Sequence, residues 1–64
     1  MIIRNYAIFK HCIEFYGCGS VTTITNPEEI KTIKSWIKES KKWARNKSDI
    51  INYINYQYKY EYEG

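Results

Sequence analysis

His11, Cys12 and Cys18 are the residues whose types could do covalent or metal chemistry: one imidazole and two thiols, spaced H-C-x5-C. A structural zinc site takes four ligands, commonly in C-x2–4-C or H-x3–5-H pairs. This chain offers three soft ligands without that spacing, so no metal and no cofactor is expected. A cysteine nucleophile needs a histidine base within hydrogen-bond reach and a third group to orient the base. On a strand, the neighbours His11 and Cys12 point to opposite faces, and Glu14 alone does not complete a triad. The Gly17-Cys18-Gly19-Ser20 stretch lacks the lysine and the following helix of a phosphate-cradling loop. The chain is therefore expected to bind rather than to catalyse.

The binding candidates are cations and tyrosines. Projected at about 100° per residue with Ile30 at zero, Lys31, Lys34, Lys38, Lys41, Lys42 and Arg45 all fall within about 20–120° of a single helix. No acid enters that arc, whereas solvated surface helices commonly alternate signs. Such a stripe suits phosphates or an acidic protein patch; the plainer reading is a solvated face with snorkelling lysines. Tyr56, Tyr58, Tyr60 and Tyr62 alternate with Gln57, Lys59, Glu61 and Glu63, which on a strand gathers four tyrosines on one face. That face either packs on a helix or serves as an interface or stacking surface.

The cations require a helix over residues 27–46. Asn26 is suited to cap it, Pro27 to occupy its first position, and Glu28 and Glu29 to sit at its positive end. Glu29 can reach back to the Asn26 N–H as in a capping box. Ile30, Ile33, Ile37, Ser40 and Ala44 form the apolar stripe, with Trp36 and Trp43 along one edge. Most often such tryptophans are core; the alternative is that one is an exposed anchor. Asn46 reads as the helix's C-terminal turn. Residues 2–16 fit strand or helix by period, and their β-branched and aromatic content favours strand. A change of parity near Lys10–Cys12 then calls for a bulge. Residues 17–20 form a turn, and the β-branched run 21–25 is the second arm of a hairpin. Ser48 can cap a short helical turn holding Ile50, Ile51 and Ile54, before residues 56–63 return as a strand. The expected class is α+β, with a small antiparallel sheet, made of the N-terminal hairpin plus the C-terminal strand, packed on one long amphipathic helix.

Sixty-four residues make a single small domain with no room for a deep substrate cavity, for which oligomerisation is a natural support. The chain holds eleven Ile, eight Lys, seven Tyr and five Asn but no Leu. These four types have A/T-rich codons, which points to a low-GC bacterium, its phages or a virus. Residues 1–47 carry nine Lys/Arg against four Glu, or +5, and residues 48–64 carry one Lys against three acids, or −2. No apolar run nears the ~20 residues of a membrane span, and the N-terminus lacks signal-peptide order. A cytoplasmic site is expected, in the host cell if the gene is phage-borne, with reduced cysteines. In general look the chain resembles small phage or mobile-element products of low-GC hosts. That type implies an inhibitor of a host protein or nucleoprotein complex, such as a defence nuclease, acting by surface occlusion. Nucleic-acid binding through the basic helix and a homo-oligomeric (dimeric) structural role are the alternatives.

Overall fold

Three antiparallel strands come first and two helices follow: β1 (Asn5–Ile8), β2 (Ile13–Tyr16), β3 (Val21–Ile24), α1 (Pro27–Ser40) and α2 (Lys47–Tyr62). The computed structural model describes residues 2–62, with side chains through residue 60. The sheet is a meander in the order β1-β2-β3, with Tyr6 opposite Phe15 and Phe15 opposite Thr22. The class is α+β.

Strand alternation sets which face is covered. Ile13 and Phe15 on the central strand are buried, and Tyr6 and Ile24 pack beside them. This face meets both helices through Ile33, Trp36 and Ile37 of α1 and Ile50, Ile54 and Tyr58 of α2. Tyr58 joins the layers, lying edge-on to Phe15 at 5.7 Å and to Trp36 at 5.3 Å between centroids. Its hydroxyl donates to Glu29 Oε1 at 3.2 Å. A residue late in α2 thus meets one early in α1, so the helices run antiparallel as an αα-hairpin.

The expected bulge near Lys10–Cys12 is instead a chain reversal between two strands. Phe9 N–H donates to Cys12 O at 2.9 Å. Neither Lys10 nor His11 has positive φ, so the turn is not of the I′ or II′ type that Asn-Gly pairs announce. The second reversal uses Gly19 at φ 77°, a conformation that favours glycine.

The expected helix over residues 27–46 ends at Ser40. Lys42 N–H bonds Glu39 O and Trp43 N–H bonds Ser40 O, i→i−3 bonds that tighten the last turn. Asn46, expected to close this helix, opens the next one: its Oδ1 accepts from Asp49 N–H at 3.1 Å, and Asp49 Oδ2 accepts from Arg45 N–H at 3.0 Å. At α1's start Asn26 Oδ1 accepts from Glu28 and Glu29 N–H, as its type predicts. The Glu29 carboxylate bonds Tyr58 rather than closing a capping box.

The C-terminal strand expected over residues 56–63 is corrected: the chain is helical through Tyr62, and residue 63 lies outside the described residues. The stripe Ile50, Ile54, Tyr58 recurs every four residues, and burying it on α1 and the sheet decides the matter. Asn55 seals the arrangement. Its Oδ1 accepts from Ile3 N–H at 2.8 Å and its Nδ2 donates to Ile3 O at 2.9 Å, so a side-chain amide takes the place of a further strand. Lys47, at the other end of α2, donates to Tyr6 O at 3.2 Å and lies 4.6 Å from the Tyr6 ring centroid.

Candidate functional site

The cations on α1 divide into two sets where the helix stops. Lys31, Lys34 and Lys38 lie on the helix and Lys41 is its C-cap residue. All four are exposed, and none has a carboxylate partner among the described residues. Lys42 and Arg45 belong to the connection and are compensated: Lys42 Nζ is 3.1 Å from Glu39 Oε2, and Arg45 Nε is 3.7 Å from Asp49 Oδ2. The six-cation stripe read from periodicity is therefore four uncompensated lysines followed by two paired cations. On an ideal helix those four lysines sit about 140–160° around the axis from Trp36. Trp36 faces Tyr58 of α2, so the lysines point away from α2.

The fold adds to this flank from a distant part of the chain. The β1–β2 turn brings Lys10 and His11 against α1, and a cleft of about 360 Å³ opens between them. Lys10, His11, Lys31 and Lys34 provide its polar lining, while Thr25, Pro27 and Ile30 supply the apolar part. No carboxylate lines it. Period-based reading missed Lys10 and His11 because their place beside α1 is set by the sheet. The exposed Lys-His pair at an apolar run's parity change was the available signal.

The tyrosines are dispersed. On α2, alternate residues advance by about 200°, so a two-residue period fans them to both sides. Tyr58 is core, whereas Tyr56 and Tyr60 are 55% and 67% exposed. The side chain of Tyr62 lies outside the described residues. Tyr53, which the alternation did not reach, is half-buried and packs against the core, with the half-buried Gln57 one turn further along and Tyr56 and Tyr60 exposed beside them. Gln57 Nε2 donates to the Tyr53 hydroxyl at 2.7 Å. The Tyr56 and Tyr60 rings are 4.9 Å apart, and the neighbouring Tyr60 phenol is the main cause holding the Tyr56 phenol above its ordinary value of 10.0. Trp43, 53% exposed, stands edge-on to Tyr53 at 5.5 Å and extends the aromatic face. Of the tryptophan pair, Trp36 is core and Trp43 is the exposed one.

Cys12 is half-buried and Cys18 exposed, both as free thiols. Among the described residues no three His, Cys, Asp or Glu side chains gather where they could hold a metal. No helix among them is long and apolar enough to cross a membrane. The chemistry on offer at the two surfaces is charge and ring contact. No family model matches the chain, and no curated protein or solved structure matches it either.

Proposed function

We propose that this chain is a small non-enzymatic binding protein that covers an acidic or phosphate-bearing surface of a larger partner. Its setting in this reading is inhibition of a host protein or nucleoprotein complex by a phage or mobile-element product. The observation that carries the reading is the uncompensated charge of Lys31, Lys34, Lys38 and Lys41 on one flank. Like charges three or four residues apart on a helix each cost about 0.2–0.5 kcal/mol. An anionic surface relieves that repulsion and gains the encounter rate that charge complementarity supplies.

The test is a pull-down with tagged protein from the lysate of a low-GC bacterium, with and without nuclease. The expected result is a discrete protein partner that survives nuclease and is lost with the Lys31→Glu, Lys34→Glu, Lys38→Glu, Lys41→Glu variant. A variant that retains the partner removes the flank as the contact surface. Recovery of nucleic acid alone replaces the protein partner with direct nucleic-acid binding by the same flank.

A second reading is favoured by the exposed rings of Trp43, Tyr56 and Tyr60, gathered around the half-buried Tyr53, since exposed aromatic residues are enriched at interfaces. There the chain is a homo-oligomeric subunit that buries this face. Sedimentation of wild-type protein against Tyr56→Ala with Tyr60→Ala separates the two: a dimer converted to monomer supports the subunit, and a monomer in both cases dismisses it.

A further inference from the structure

We infer that the cleft between the β1–β2 turn and α1 is a binding site for a phosphate group carried on a small organic body, of the size of a mononucleotide. The inference rests on the reading of the α1 flank as a contact surface and names the group that enters it. Two elements distant in sequence converge there. The turn supplies Lys10 and His11, and successive turns of α1 supply Lys31 and Lys34. Three lysines and a histidine line one open volume, with no carboxylate among the lining residues.

The chemistry of the lining selects the ligand. A phosphate monoester carries a charge of about −1.5 to −2 near neutral pH and three strong acceptor oxygens. Several lysines can each donate to it as point charges. A carboxylate brings half that charge and one oxygen fewer, leaving more of the lysine repulsion in place. The apolar part matters equally: the Pro27 ring, the half-buried Ile30 side chain and the Thr25 methyl offer a sugar or base a surface that bare phosphate does not use. At about 360 Å³ the cleft is at the small end of ligand pockets, which run to about 1,000 Å³.

The experiment titrates full-length, nitrogen-15-labelled protein at low ionic strength with adenosine monophosphate, inorganic phosphate and adenosine in separate arms. Adenosine monophosphate is expected to shift the amides of Lys10, His11, Ile30, Lys31 and Lys34 saturably, with a dissociation constant on the order of 1 mM. Inorganic phosphate is expected to bind more weakly at the same amides, and adenosine not to bind. Lys10→Gln with Lys34→Gln is expected to weaken binding about tenfold or more. Lys38→Gln with Lys41→Gln, outside the cleft, is expected to leave it unchanged within about twofold. Shifts spread evenly over Lys38, Lys41 and Lys59, or without saturation, would mean a counter-ion cloud and overturn the site. Equal affinity for inorganic phosphate and the nucleotide would overturn the role given to Pro27 and Ile30. Loss of the pull-down partner on Lys38→Glu with Lys41→Glu, together with no saturable adenosine monophosphate shifts in the wild-type protein, would keep the flank as a contact surface and discard the cleft.

Discussion

Asn55→Ala separates a helical C-terminal segment from an extended one, because only the helix presents the Asn55 carboxamide to Ile3. The substitution removes two hydrogen bonds, of 2.8 and 2.9 Å, that tie the segment before β1 to α2. A hydrogen bond is worth about 1 kcal/mol net, and a buried group left unpaired costs about 1–3 kcal/mol. Here the lower figure governs. Ile3 is itself a core residue, but it and Asn55 line an open groove of about 550 Å³ with Lys47, Ile51 and Asn52, so water can reach the backbone groups that the substitution uncovers. The expected loss is about 2 kcal/mol in a domain of this length whose whole stability is about 3–10 kcal/mol. In a domain of this size that lowers Tm by about 8–16 °C.

Thermal unfolding followed by circular dichroism reads the change, and hydrogen exchange at the Ile3 amide reads its place. Asn52→Ala, exposed on the same helix, is the control and is expected within about 0.5 kcal/mol of wild type. Asn55→Asp keeps an acceptor for Ile3 N–H but sets a carboxylate against Ile3 O, so it is expected to cost at least as much as alanine. If Asn55→Ala melts with Asn52→Ala and the Ile3 amide stays protected, α2 does not dock on the N-terminal segment and the reasoning fails.

Trp43→Phe is expected to leave blue-shifted emission resistant to acrylamide, since Trp36 is 8% exposed against 53% for Trp43; unchanged quenching would contradict that division. Tyr6 is pushed up by burial, Tyr16 by its hydrogen bond with Glu14, and Tyr56 by the neighbouring Tyr60 phenol, all from 10.0. Each phenol holds its proton to higher pH when folded than when unfolded. Their stabilisation is therefore complete below about pH 10 and is lost as pH rises through the folded values. Tyr60→Phe is expected to bring the Tyr56 ionisation back toward 10.0 in an ultraviolet titration, and an unmoved titration would refute the contact. If the partner is duplex nucleic acid and the four unpaired lysines each meet one phosphate, log K is expected to fall against log salt with a slope of about −3.6. A slope near zero would exclude phosphate contacts by this flank.

The start of α1 was legible because Asn26-Pro27-Glu28-Glu29 stacks several independent signals, and its buried side because Ile33, Ile37 and Ser40 keep helical spacing. Its end was not, because residues 41–46 hold neither Gly nor Pro and continue the cationic pattern. Asn46 serves equally as a stop or a cap. Asp49 three residues on was the sign of a cap, a short-armed version of the Ser-x-x-Glu box. The tyrosine alternation misled because period two is a strand signal only when the partner face is also explained. Ile50 and Ile54 already set a four-residue stripe that runs into Tyr58. The flank's lysines on α1 were readable from one helix. The Lys10 and His11 wall of the cleft was not, since it depends on a turn without the residues that usually mark one.

The arrangement on α1 works against the fold, and Lys34 shows by how much. It lies three residues after Lys31 and four before Lys38, and it shares a cleft with Lys10. Lys34→Glu removes two like-charge neighbours and creates two opposite ones, with the acid N-terminal to Lys38 in the favoured order. At about 0.2–0.5 kcal/mol for each change, the variant is expected to be more stable by about 1 kcal/mol, with Tm up by about 4–8 °C. The gain should shrink in 1 M salt, where charges are screened beyond about 3 Å. The same variant is expected to lose the pulled-down partner and the nucleotide shifts. Stabilising surface-charge changes are common in themselves, so it is the joint outcome, a more stable variant that no longer binds, that would support a ligand-directed charge at Lys34. If Lys34→Glu is neutral or destabilising, the aliphatic stem of Lys34 contributes more by packing than its charge costs, and the flank is a solvated surface.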